Sequence, residues 1–249
     1  MLPNFLHIGA PKAASSWLWQ VCKEHPEIFV PESPDNVNFF TVHYHRGLEW
    51  YEETYFSRAQ NEPAVGEFSN SYMMFEPALD RIAAHLPEAK LTLTLRHPVE
   101  RAWLQWAHIH LKKGKYGFNP ANEIGIPFEK TLHHHGHQWF RNWMEPGLYS
   151  LHLKRIYERL PGEQVLVMFY DDLSRRPGMF LKDFFAFLGV DAEFESSLVG
   201  RQINPDAAQA DPHEWVSREI WNELHDVFRD DISELQELTG RNLSDWLQP

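Results

Sequence analysis

At 249 residues, with 43% hydrophobic and 14% aromatic residues, the chain has ample apolar surface for a large core, and a disordered protein is excluded. Its net charge of −12 argues against a broad basic face for nucleic acid or a polyanionic polysaccharide, yet leaves room for one anionic nucleotide held by a few local cations. One cysteine, Cys22, permits no intrachain disulfide. No apolar run reaches membrane-spanning length and no secretory signal layout opens the chain, so a reducing cytoplasm is the expected setting.

The first element predicted is a strand at residues 5–8. It breaks into Gly9-Ala10-Pro11-Lys12-Ala13-Ala14-Ser15-Ser16, and Trp17, Leu18 and Val21 then recur at helical spacing. A strand, a tight loop and a helix start present unpaired N–H groups and a positive dipole end to an anion. Lys12 adds a full charge, and Ser15 and Ser16 add hydroxyls. The lysine lies too early for the common ATP/GTP loop, where it directly precedes the Ser/Thr. The first helix should end before Pro26, and residues 26–34 read as turns.

An aromatic segment at residues 43–51 predicts a short helix. Val65-Gly66-Glu67-Phe68-Ser69 then reads as a short strand that leaves Glu67 near its C-terminal end, the edge where open parallel sheets bind ligands. Leu79, Ile82, Ala83 and Leu86 mark an amphipathic helix, and Leu91 to Leu95 a strand ending at Arg96-His97-Pro98-Val99-Glu100-Arg101. Pro98 suits the first turn of the helix that follows. Residues 112–127, rich in glycine, proline and lysine, read as a loop. His133, His134, His135 and His137 lack partners at metal-ligand spacing and suit a pH-sensitive loop better. A helix at 149–160, a buried strand at 164–169 and a helix from Pro177 to a stop at Gly189 follow. Arg201 falls in a polar loop. The last helix is expected to be capped by Asp211, to start at Pro212 and to end at Gly240.

Three of these segments together resemble the sulfotransferases that use 3′-phosphoadenosine 5′-phosphosulfate (PAPS). Pro11-Lys12-Ala13-Ala14-Ser15-Ser16 resembles the family's 5′-phosphosulfate loop, with Ala14 where glycine is usual. Arg96-x-Pro98-x-x-Arg101 resembles its 3′-phosphate segment, although Leu104 replaces the usual serine. The block at residues 147–190 resembles its Gly-x-Tyr, helix, strand, Asp-Asp-Leu and Phe-Leu-Gly-Val pattern. Asn38-Phe39-Phe40 and Gly66-Glu67-Phe68-Ser69 look most like the branch that includes the heparan sulfate sulfotransferases, and the chain's size suits a small bacterial-type member.

The resemblance implies one domain over residues 1–249, a three-layer α/β sandwich around a central parallel sheet, related to the P-loop nucleotide kinases. It implies transfer of a sulfuryl group from PAPS to a hydroxyl or amine of a small-molecule, lipid or sugar acceptor, leaving 3′-phosphoadenosine 5′-phosphate and needing no metal. Lys12 and Glu67 are the expected catalytic residues, Glu67 as the base. Pro11, Lys12, Ala13, Ala14, Ser15, Ser16, Arg96, Arg101 and Arg201 are expected to hold the nucleotide. Two alternatives stand beside this reading: a kinase-like phosphotransferase and a non-catalytic nucleotide-binding protein of the same fold. The acceptor, the choice of O- or N-sulfation and the oligomeric state are left open.

Overall fold

The computed structural model describes residues 1–32, 36–110, 143–201 and 216–248. They fall into two compact units, one from Met1–Arg96 with His152–Ile203, the other from His97–Leu151 with Asn204–Pro249.

The first unit is built on a five-stranded sheet: β1 (Phe5–Gly9), β2 (Ile28–Phe29), β3 (Ala64–Phe68), β4 (Lys90–Leu95) and β5 (Val165–Phe169). The order is β2-β3-β1-β4-β5, and every pairing is parallel. From β1 the chain runs to the edge strand β2 and comes back inward to β3 beside β1, then passes to the other side of β1 for β4 and β5. The C-terminal end of β1 is a topological switch point, the place where open α/β sheets bind ligands. This parallel, helix-flanked sheet is the predicted fold class.

Alternation along the strands sorts the sheet's two faces. On one face Phe5, Ala64, Phe68 and Met168 pack with Trp17, Leu18, Val21 and Cys22 of α1 (Ser15–Glu24). Phe180, Leu181, Phe184, Phe185 and Leu188 of a helix at Pro177–Leu188 complete that layer. Phe5 lies opposite Gly66 in the register, and a β-carbon at Gly66 would meet the Phe5 ring at 2.3 Å. The glycine gives the ring its room. Glu67, one residue on, points to the opposite face.

Two expectations change. β2 lies within the stretch read as turns, because two residues between prolines carry no readable alternation. The last helix begins later than expected, at Arg218, and runs to Thr239. Ser217 is its N-cap: the residue is extended, and its side chain accepts from the Ile220 N–H at 3.3 Å. Asp211 and Pro212 lie outside the described residues. Gly189 and Gly240 do close their helices in the left-handed conformation, at φ 83° and 64°.

In the second unit, a helix at Pro98–His110 and the one at Arg218–Thr239 enclose an aromatic core. His97 stacks on Trp221 at 5.6 Å, Trp103 and Phe228 are fully buried, and Ser150 donates to Asp231 at 2.6 Å.

Candidate active site

The loop between β1 and α1 starts at the switch point. The Ala10 N–H donates to the Thr94 carbonyl at 2.9 Å, and the Ser69 N–H to the His7 carbonyl at 2.8 Å, so the ends of β4 and β3 are tied to it on both sides. Lys12 and Ala14 both take left-handed backbone angles, φ 68° and 69°. That conformation turns the chain directly into α1, whose first turn closes with the Leu18 N–H on the Ala14 carbonyl at 3.0 Å. Ala14 is the N-cap and offers no side-chain oxygen to the N–H groups of the first turn. Lys12, Ala14 and Ser16 are each partly exposed there, whereas Ala13 and Ser15 are buried.

The angle at Ala14 explains why glycine is the expected residue. An alanine held in the left-handed region costs about 1 kcal/mol. Ala14→Gly is therefore expected to raise unfolding free energy by about 0.5 kcal/mol, after the greater freedom of unfolded glycine is subtracted. Urea denaturation of the two proteins measures it, and a less stable variant would rule the strain out.

Arg96 directly follows β4 on the same C-terminal edge, half-buried, with its guanidinium 4.2 Å from the Tyr170 ring centre. Tyr170 itself directly follows β5, so the two strand ends fix the arginine between them. Arg201 is exposed, on a segment fastened along α1: Ser196 and Ser197 hydroxyls donate to Glu24 at 2.6 Å each, and the Trp17 indole donates to the Leu198 carbonyl at 3.2 Å. Those serines, with the Arg201 charge a lesser cause, hold the Glu24 carboxyl below its usual range.

Arg101 requires a correction. Its side chain is fully buried and its Nη2 donates to the Trp143 carbonyl, while Nε and Nη1 find no partner among the described residues. Burial lowers its pKa to about 10, with the nearby Tyr149 opposing the shift. With no exposed surface, this guanidinium packs in the core of the second unit and, as placed, presents no face to a bound nucleotide. Leu104 is buried as well, so it offers no substitute for the usual serine.

Glu67 sits inside the first unit with no exposed surface. The Tyr51 and Tyr72 hydroxyls donate to its Oε1 at 3.0 and 2.7 Å, and the Ser69 hydroxyl donates to Oε2 at 2.6 Å. Desolvation still outweighs these bonds and raises its pKa to about 7. Burial and the Glu67 charge push both tyrosine hydroxyls well above their usual value, so they remain donors. The same hydroxyls accept from the chain opposite: Phe40 N–H bonds Tyr72 at 3.1 Å and Asn38 N–H bonds Ser69 at 2.8 Å. Glu67 is thus the hub that fastens residues 38–40 to β3. A direct proton acceptor must reach the acceptor's hydroxyl or amine, and in this arrangement both Glu67 oxygens face protein donors instead.

The sequence reading missed Tyr51, Tyr72, Asn36 and Asn70, which complete this polar interior. Nothing in their local spacing marks them: Tyr51, Asn36 and Asn70 act on residues from other segments, and Tyr72 reaches Glu67 through the turn after β3. The histidine cluster at 133–137 and the loop at 112–127 lie outside the described residues. Among the described residues, no group of three His, Cys, Asp or Glu side chains is placed to hold a metal ion, and no helix is long and apolar enough to cross a membrane.

A parallel sheet with a lysine-bearing loop at its switch point and an arginine at the neighbouring strand end is an arrangement of the sulfotransferase fold. The chain belongs to the sulfotransferase family: the family's sulfotransferase domain matches residues 2–229. It is 30% identical over 210 residues to the mouse bifunctional heparan sulfate N-deacetylase/N-sulfotransferase 4, an alignment that takes in 79% of this chain and 23% of that protein. It is 31% identical over 134 residues to the membrane-associated sulfotransferase kil1 of Dictyostelium discoideum, covering 53% of this chain and 28% of the relative. The chain thus spans about a quarter of the length of these curated relatives. A solved sulfotransferase from Alicyclobacillus acidocaldarius superposes over the full length of both chains at TM-score 0.76 and 26% identity. Mouse sulfotransferase SULT7A1, solved in complex with PAP, shares the fold at TM-score 0.60 and 14% identity, over 92% of this chain and 84% of its own.

Proposed function

We propose that this chain transfers a sulfuryl group from PAPS to a hydroxyl or amine of a small-molecule, lipid or sugar acceptor. One observation carries the reading: the β1–α1 loop sets Lys12 and an uncapped helix start at the switch point of the sheet, with Arg96 on the next strand end. The first-turn N–H groups and the Ser15 and Ser16 hydroxyls suit the 5′-phosphosulfate, and Arg96 with Arg201 suits the 3′-phosphate. PAPS would supply the activated sulfuryl group. Lys12 neutralises charge that grows on the bridging oxygen as the bond to sulfur breaks, and it is worth most where water is excluded. The acidic net charge favours a small acceptor over a long sulfated glycan. Glu67 enters as the residue that holds the 38–40 segment; it takes the acceptor's proton only if Tyr51, Tyr72 or Ser69 moves aside.

A calorimetric titration tests the nucleotide assignment. The 3′-phosphate should make 3′-phosphoadenosine 5′-phosphate bind at least about tenfold more tightly than AMP, since a charge-assisted pair is worth more than 1 kcal/mol. Equal affinities would remove PAPS from the reading. Mass-spectrometric screening of hydroxylated and amine compounds with PAPS then identifies the acceptor class.

A further inference from the structure

We propose that Asn70 is a positioning residue of the anion loop: it fixes the Ser15 hydroxyl as a donor toward the bound phosphate-like group and joins that loop to the segment at residues 36–40. The inference rests on the loop being the nucleotide site.

Asn70 Nδ2 lies 3.0 Å from Ser15 Oγ and 3.3 Å from Asn36 Oδ1. The Asn70 backbone N–H, which can only donate, points at the same Asn36 atom at 3.2 Å. That atom is therefore the Asn36 oxygen, and the Asn70 atom beside it must be the amide nitrogen. The NH2 group then has one proton for Asn36 and one for Ser15. A serine hydroxyl has one proton and two lone pairs. With a lone pair taken by Asn70, its only hydrogen-bond partner among the described residues, Ser15 keeps its proton for an acceptor at the start of α1. An anion in the first-turn cradle is such an acceptor. Asn70 Oδ1 is itself buried without a partner, so the amide is held by its donors alone.

The same contacts lead to the hub. Asn38 Nδ2 donates to the Asn36 carbonyl at 3.3 Å, the Asn38 N–H donates to Ser69 Oγ at 2.8 Å, and Ser69 donates to Glu67. Ser71 Oγ donates to Asn38 Oδ1 at 2.8 Å. One continuous set of hydrogen bonds thus runs from the helix start to the buried carboxylate, all within the first unit. A nucleotide that orders Ser15 also orders the segment leading to Phe39 and Phe40.

The test is a double-mutant cycle read by calorimetry with 3′-phosphoadenosine 5′-phosphate. Asn70→Ala and Ser15→Ala should each weaken binding by about tenfold, the scale of one hydrogen bond to a charged group. The double variant should be weaker than either single by less than about threefold, because Asn70 acts through Ser15. Asn70→Asp keeps the shape but offers no N–H, and it should lose at least as much affinity as Asn70→Ala. Unchanged binding by both Asn70 variants, or single losses that multiply to about a hundredfold in the double variant, would overturn the proposal. A wild-type protein with no preference for this nucleotide over AMP would instead overturn the reading on which it rests. Melting curves of the ligand-free proteins show that the losses are not unfolding.

Discussion

Replacing Lys12 by alanine is expected to slow sulfuryl transfer by about a hundredfold or more, the usual loss when one preorganised charge donor is removed from a developing anion. Affinity for 3′-phosphoadenosine 5′-phosphate should fall less, by about tenfold: the former bridging oxygen stays on the 5′-phosphate and the lysine faces it in the product as well, while the first-turn N–H groups and serine hydroxyls still hold the group. Stability should hardly change. Lys12 is partly exposed and already sits at φ 68°, a strain that alanine neither relieves nor worsens. Lys12→Arg should not restore the rate, because a planar guanidinium spreads its charge over a fork and does not replace a compact ammonium at a single oxygen. Turnover with labelled PAPS, alongside calorimetry, separates the two effects. Retention of more than about a third of the activity by Lys12→Ala would move the charge stabilisation to another group.

The loop was legible because its information is local. A strand, small residues, one lysine and two hydroxyls within a dozen positions dictate a turn and a helix start. Arg96 was legible for the same reason, at the end of an alternating strand. Its motif partner was not. Arg101 stands one turn into the following helix, and which face of that helix is buried depends on Trp143, some 40 positions away in the chain. The surroundings of Glu67 were hidden in the same way. Tyr51 approaches from the short helix at Leu48–Tyr51 and Tyr72 from a turn after β3, and no spacing rule links a strand carboxylate to either. The general position of Glu67 was readable, at the C-terminal end of β3; its solvation was not, and solvation decides what a carboxylate can do.

Glu67→Gln separates the two roles that this carboxylate can have. Its pKa rises from an ordinary 4.5 to about 7 on folding. Below pH 4.5 the group is protonated in both states and costs nothing. Between 4.5 and 7 the folded protein holds the proton that the unfolded chain has released, so this group's contribution to stability falls as pH rises. The loss totals about 3 kcal/mol by pH 7 and then levels off, at about 1.4 kcal/mol per pKa unit. His7 opposes it from the other face of the sheet. Burial lowers its pKa to about 3, so its contribution is present above pH 6.5 and is lost as pH falls toward 3. The contributions of Glu67 and His7 should therefore nearly cancel between 4.5 and 6.5. Glu67→Gln, in which nothing at position 67 offsets His7, should gain stability relative to wild type steadily over that range. Denaturant unfolding at a series of pH values reads the difference between the two curves, and parallel curves would mean that Glu67 ionises in the fold as it does in water. Turnover gives the complementary result. A hub residue whose amide replacement still accepts from the tyrosines should keep activity within about tenfold of wild type. A loss beyond a hundredfold in a folded variant that still binds the nucleotide, together with disappearance of a rate limb near pH 7, would instead make Glu67 the group that takes the acceptor's proton.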